Sequence, residues 1–433
     1  MGDLFEEYMN LDSSLKDHIT YTTYANCPIG FKEYLTKSGS QELSENILKS
    51  LNSIPWISNT DVDSYYKLNN KIRRLISMDL FLQMPQNVQS YLIDSKEGEI
   101  KESQIVYLSR IPWGNEMINN ISIPEAKDLL DKTHYGMVTV KEKILRYIAC
   151  QKHIGDDYGA VLLLIGPPGV GKTSIAASIA EAMGRPFVKI SLAGLSDAVA
   201  LSGTSTVFSN SKPGKIIEAI INAKHMSPLI LLDEIDKMGQ STENGDPVNA
   251  LINILDSDRT NFIDDSFGVS IDISKILFIA TANTLSTISP ILIDRLEVVE
   301  LNEYTREEKI AISKRYIWPS LIQENKLGNI NLPNNNGVLC NPYTLSIDDN
   351  VIEYIIDNLT NEPGVRSLKR YFNQLCQAVI SLYYSTGEMV DKITIDNMKK
   401  MLSTIHYEEQ TVEAPIFKKK EIKNKKLYKE KYI

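Results

Sequence analysis

The run Gly166, Pro167, Pro168, Gly169, Val170, Gly171, Lys172 and Thr173 has the residue types and spacing of a phosphate cradle. Glycines let the backbone wrap so that successive N–H groups face phosphate oxygens. An apolar stretch precedes the run and SIAASIAEAMG, beginning at Ser174, follows it. That segment reads as a helix whose N-terminus adds positive partial charge. Lys172 is placed to reach the β- and γ-phosphates of a nucleotide, and Thr173 to offer its hydroxyl to Mg2+.

The stretch LILLDEIDKMG adds two carboxylates, Asp233 and Glu234, at the end of an apolar run. Carboxylates at the tip of a buried strand are costly unless a cation or metal pairs with them. Asp233 suits the Mg2+ shell, and Glu234 is placed to orient and deprotonate an attacking water. Asp236 and Lys237 read as ordinary surface charges in the next turn. ILFIATAN ends in Asn283. Its amide either holds the lytic water, touches the γ-phosphate, or ends the strand as a plain turn residue.

These groups need a scaffold that brings distant segments to one edge. Short β-rich runs at 161–165, 187–190, 229–233, 276–280 and 298–301 alternate with helix-like segments. That alternation predicts an α/β fold, a parallel sheet with helices on both faces. Upstream, SYYKLNNKIRRLISMDLFLQMP puts Tyr65, Leu68, Ile72, Leu75 and Ile76 on one face of a helix that Pro85 ends or whose end it follows. After Leu301 the strands stop. Thr305 and Glu308 have capping-box spacing, and amphipathic helices follow. The expected domains are a mostly helical 1–112, an α/β nucleotide-binding 113–301, a small helical 302–406, and a basic, unfolded tail, 407–433. The Asn-rich 331–342 reads as a polar loop.

The chain's 433 residues, 43% apolar and 23% charged, suit a globular protein of two or three domains. A net charge of −9 argues against a protein built to coat nucleic acid. Cys27, Cys150, Cys340 and Cys376 form no C-x-x-C pair, which argues against a disulfide framework or zinc site. No apolar run reaches the roughly 18 residues that span a bilayer. The acidic start MGDLFEEYMN is neither a secretory signal nor, with Glu6 in place of Ser or Thr, a myristoylation site. An intracellular, soluble, cytoplasmic protein is expected.

From about Ser103 to Leu402 the motifs PWG, THYGMVTVKEKILRYIA, GPPGVGKTSIAASIAEAMGRPFVKISL, LILLDEIDKMG, GDPVNALINILD, FIATANTL, LIDRLEVVEL and EPGVRSLKR occur in order. In these the chain resembles the ATPase (AAA+) module of Lon proteases. The resemblance implies ATP and Mg2+ as cofactors, a P-loop sheet sandwiched by helices, and a helical lid. It implies that His134, Tyr135 and Gly136 pack on adenine. Arg295 matches the arginine finger that reaches a neighbour's γ-phosphate, and Arg366 the second sensor arginine. A finger supplied by a neighbour implies a ring, a homo-hexamer, acting on a polypeptide substrate.

Two departures from the family stand out. In GTSTVFSNSKPGK, Phe208 falls at the aromatic position of the pore loop and Pro213–Gly214 remain. Thr204, Ser205 and Thr206 replace the usual basic run, and Ser209 replaces the aliphatic partner of the aromatic. Phe208 is expected either to grip polypeptide or to anchor its loop by packing. At the ends, no stretch matches the long N-terminal recognition region or the Ser–Lys peptidase. Peptide-bond hydrolysis by this chain alone is not expected, and a separate peptidase is a possible partner. From Phe417 on, eight lysines face two glutamates. The Lon family includes DNA-binding members, so this tail is a candidate nucleic-acid contact or a solvated end.

Overall fold

The computed structural model describes residues 64–96, 98–115, 122–154, 160–208, 211–239, 245–256, 259–327, 345–388 and 390–409, of which 403–409 by backbone alone. Residues 1–63, the Asn-rich loop 331–342, the tail from 410, Cys27, Cys340 and Ser209 lie outside them. Two compact units divide at Asn302/Glu303.

The first unit opens with short helices: α1 (Asn70–Leu75), α2 (Met78–Gln83), α3 (Gln86–Asp94) and α4 (Glu102–Arg110). The single helix expected across this stretch is broken. Asn69 accepts from the Ile72 N–H and Ser77 from the Leu80 N–H, so each side chain caps a new helix. Pro85 follows the end of α2, as the sequence allows, and is also the N-cap of α3. The predicted apolar face survives the breaks, with Leu68, Ile72 and Ile76 buried and Tyr65 and Leu75 packed against the same core.

After α5 (Ile123–Thr133) and α6 (Val138–Ile154) the sheet begins. Its strands are β1 (Val161–Ile165), β2 (Phe187–Ser191) and β3 (Leu229–Asp233), then, after the small β4–β5 hairpin (Phe262–Ile263, Ser270–Ile271), β6 (Leu277–Ala282) and β7 (Leu296–Glu300). All five main strands are parallel, in the order β2-β3-β6-β1-β7. The three inner strands are buried at every residue, which is why they read as unbroken apolar runs. Each Val, Leu, Ile or Phe side chain among them contributes about 1.5–3 kcal/mol on leaving water. The connecting helices are α7 (Lys172–Ala182), α8 (Val199–Ser202), α9 (Lys215–Ala223), α10 (Pro247–Ile254) and α11 (Pro290–Ile293).

The second unit is α12 (Arg306–Ile312), α13 (Trp318–Glu324), α14 (Asp349–Tyr354), α15 (Arg366–Thr386) and α16 (Ile395–Glu409). Thr305 and Glu308 form the expected capping box. Against expectation, strands do occur after Leu301. A two-residue parallel pair, β8 (Ser346–Ile347) and β9 (Lys392–Ile393), ties α14 to α16. Such a pair is too short to leave a periodic signal in sequence. Among the described residues no helix is long and apolar enough to cross a membrane.

Candidate functional site

Sheet order places the chemistry. Register aligns Ile165 with Ala282 and Leu232 with Ala280, so β1, β3 and β6 end together. Gly166, Asp233 and Asn283 follow or close those strands, at the carboxyl edge where parallel sheets bind ligands.

The loop from Gly166 has the conformation its glycines permit. Gly169 (φ 84°) and Gly171 (φ 96°) adopt the left-handed backbone, and Val170 is buried as the loop's anchor. A Cβ on Gly166 would stand 2.3 Å from the Leu301 carbonyl oxygen, so only glycine fits there. Pro168 is exposed and Thr173 partly buried at the start of α7. Lys172 Nζ donates to the carbonyls of Gly166 (2.6 Å) and Pro167 (3.0 Å) and to Asn283 Oδ1 (2.8 Å). Burial lowers its pKa, and Asp236, Asp233 and Glu234 oppose that shift. The ammonium is thus held by weak neutral acceptors at the mouth of a cradle, ready for a stronger anionic partner.

The carboxylates are held in place by groups the sequence did not single out. Asp233 pairs with Lys189 of β2 at 2.6 Å and accepts from Thr281 Oγ1 at 2.5 Å. Burial pushes its carboxyl up, but Lys189 and Thr281 bring it net below the usual range, so it is ionised. Thr281, fully buried, also accepts from the Glu234 N–H at 3.0 Å. Glu234 sits at φ 61°, ψ 51°, a left-handed backbone that costs a non-glycine residue about 1–3 kcal/mol. Its Oε1 is paired with Lys237 at 2.6 Å. An ionised carboxylate and the Thr173 hydroxyl are hard oxygen donors of the kind Mg2+ takes.

Asp236 is not the surface charge expected of it. Its Oδ2 accepts from the Asn283 N–H at 3.0 Å and its carbonyl from Thr287 Oγ1 at 2.9 Å. Its Oδ1 is buried without a hydrogen-bond partner. Asp236 therefore fixes the backbone of the residue whose side chain meets Lys172. Asp236→Ala is expected to lower the rate of nucleotide turnover about tenfold, the cost of one lost hydrogen bond to a charged group, with little change in apparent nucleotide affinity. Steady-state kinetics check this, and an unchanged rate would exclude the positioning role.

His134 is buried at 7% exposure, its ring between Thr133 Oγ1 (2.9 Å) and Ser174 Oγ (3.0 Å). Burial, helped by Lys141, lowers its pKa to about 4. Tyr135 is partly buried, and Gly136 turns the chain at φ 63°. A histidine depressed from 6.5 to about 4 contributes stability that is complete above pH 6.5 and is lost as pH falls towards 4. The loss amounts to roughly 3 kcal/mol. Thermal unfolding between pH 7 and 4 is expected to show a steeper fall for the wild type than for His134→Gln, and equal slopes would contradict it.

Arg295 follows α11 and donates to the Ile291 carbonyl at 3.3 Å, with Asp256 at 3.8 Å. These contacts lie away from the loop at 166–173, and 34% of the Arg295 side chain is exposed. Arg366 is exposed at the first residue of α15 in the second unit. Phe208 is 66% exposed. The sequence reading missed its neighbour Val207, which is 85% exposed. An exposed aliphatic side chain thus stands just before the aromatic. Among the described residues no cluster of His, Cys, Asp or Glu suits a further metal, Cys150 and Cys376 being free thiols.

Known proteins agree with this geometry. The family profile "ATPase family associated with various cellular activities (AAA)" matches residues 162–304, and "Lon protease AAA+ ATPase lid domain" matches 338–390. A mitochondrial Lon protease homolog of Candida glabrata is 36% identical over 335 residues, 75% of this chain and 31% of its own. A Lon protease of Leptospira interrogans is 41% identical over 303 residues, 70% of this chain and 34% of its own. That of Endomicrobium trichonymphae is 37% identical over 321 residues, 73% and 38%. The match spans about a third of the length of these relatives. A solved RuvB chain of Thermotoga maritima aligns at TM-score 0.42 and 17% identity over 68% of this chain and 76% of that one, a level that adds nothing to the assignment. With the AAA profile over the phosphate loop and the carboxylates, the Lon lid profile within the second unit, and Lon proteases matched along about 70% of its length, the chain carries a Lon-family AAA+ module.

Proposed function

We propose that this chain binds and hydrolyses ATP and works as a homo-hexameric ring that unfolds or remodels polypeptides. The observation that carries the reading is the meeting of Lys172, Asn283 and Asp236 at the mouth of the loop from Gly166, next to two carboxylates. Backbone N–H groups of Gly169–Ser174 would receive the phosphates, and Lys172 would exchange its carbonyl partners for phosphate oxygens. Mg2+, held by Thr173 and Asp233, would neutralise charge on the β- and γ-phosphates. Glu234, released from Lys237, would take the proton of the attacking water, which Asn283 orients. His134, kept neutral at neutral pH by its lowered pKa, with Tyr135 and Gly136 would take the adenine. Arg295 would act on a neighbour's γ-phosphate, and Arg366 would report its loss to the lid.

Work on substrate falls to Phe208, an exposed aromatic able to grip an extended chain without reading its sequence. Val207 supplies the aliphatic neighbour. No peptide-bond hydrolysis is assigned to residues 1–433. The remodelled polypeptide would pass to a peptidase or be released. Mass measurement of the full chain with ATP tests the ring. A mass of about six chains is expected, and a monomer at every nucleotide and protein concentration would refute it.

A further inference from the structure

The segment from Gly203 to Phe208 is braced from outside the nucleotide-binding core. Lys101, the residue before α4, donates from Nζ to the carbonyls of Thr206 and, at 2.8 Å, of Phe208. These two acceptors flank Val207, the most exposed large apolar residue among the described residues. Among the described residues Lys101 has no carboxylate within ion-pair distance, so the loop carbonyls are where its charge is used. One turn on, the nearly buried Gln104 accepts from the Lys101 N–H at 2.8 Å and donates to the Ser266 carbonyl at 3.2 Å.

Ser266 belongs to the turn of the β4–β5 hairpin, which holds the other side of the same loop. The Thr206 N–H donates to the Asp265 carbonyl (3.2 Å) and the Asp265 N–H to the Ser202 carbonyl (2.7 Å). The fully buried Asp264 accepts from the Gly214 N–H at 2.7 Å and from Ser266 N–H and Oγ at 2.9 and 2.5 Å. A Cβ on Gly203 would stand 2.1 Å from Asp264 Oδ1, so loop and hairpin touch as closely as glycine allows. The base of the loop is therefore fixed by the core, and its tip is fixed by a side chain of the helical N-terminal region.

We propose that Lys101 is a positioning residue that clamps the Val207–Phe208 tip, so that the N-terminal helices set where the polypeptide-gripping side chains stand. The role assigned to the tip rests on the reading in the preceding subsection, while the clamp itself rests on geometry alone. An ammonium shared by two carbonyls is a charge-assisted contact, stronger than a neutral hydrogen bond. Removing it should raise local opening of the tip about tenfold.

The test uses the full chain and Lys101→Met, which keeps the stem and loses the donors, with Lys101→Arg as the rescue. Amide exchange over 204–208 is expected to quicken about tenfold in K101M and to return towards wild type in K101R. The concentration of fluorescein-labelled casein giving half-maximal stimulation of ATP turnover is expected to rise in K101M, and to rise further in Phe208→Ala. Unchanged exchange in K101M overturns the clamp. Quickened exchange with casein stimulation unaltered in Phe208→Ala upholds the clamp and removes the gripping role. Because Lys101 is only partly buried, both variants should keep the fold, which equal melting temperatures would confirm.

Discussion

Glu234→Gln should stop ATP turnover while sparing ATP binding. The amide keeps the shape of the side chain but cannot take a proton, and loss of a positioned base costs about 10^2–10^4 in rate. Binding should survive because Lys172 is held by Gly166, Pro167 and Asn283, none of which depends on Glu234. The strained backbone at Glu234 is fixed by Thr281 through the main-chain N–H, a bond the substitution leaves alone. The ion pair with Lys237 is lost, but that pair is half-exposed and worth little. Single-turnover phosphate release and titration with a fluorescent ATP analogue separate the two effects. Equal loss of binding and turnover would mean that Glu234 supports the cradle and is not the base.

Arg295→Ala carries the second large effect, and it tests the ring. An arginine finger contributes about 10^3–10^5 in rate, so the variant alone should be nearly inactive. Arg295 leans on Ile291 and Asp256 in its own chain, so its removal should leave the phosphate loop intact. If the finger works on a neighbour, mixing R295A with Glu234→Gln chains should restore turnover. Each R295A subunit still has its base and can meet an intact finger from a Glu234→Gln neighbour. Random assembly of equal amounts makes about a quarter of the interfaces competent. Recovery to about a quarter of wild-type turnover is expected. A mixture as inactive as its parents would show that Arg295 acts within its own chain or not at all.

How much of this was legible in the sequence follows from burial. The inner strands were readable because both of their faces are covered, leaving continuous apolar runs that end at the functional residues. Gly166, Gly169 and Gly171 were readable because the cradle needs backbones that other residues resist. The supporting groups were not. Lys189 sits on edge strand β2 and reads as one more outward lysine, until register brings Ser191 beside Asp233. Thr281 lies in an apolar strand where a hydroxyl passes for tolerated burial. Asp236 follows Asp233 by three residues and looks solvated, because only the fold shows that it meets Asn283, the residue after β6. The breaks at Asn69 and Ser77 depend on local caps that outweigh an unbroken apolar period.

One measurement bears on the central claim more directly than any other: phosphate release from ATP with Mg2+ by the purified full chain, beside Lys172→Ala prepared in the same way. Steady turnover by the wild type is expected, with none above background from a folded Lys172→Ala that also fails to bind ATP. A folded wild type without turnover, or a Lys172→Ala that turns over as fast, would contradict an ATP-driven role for this loop.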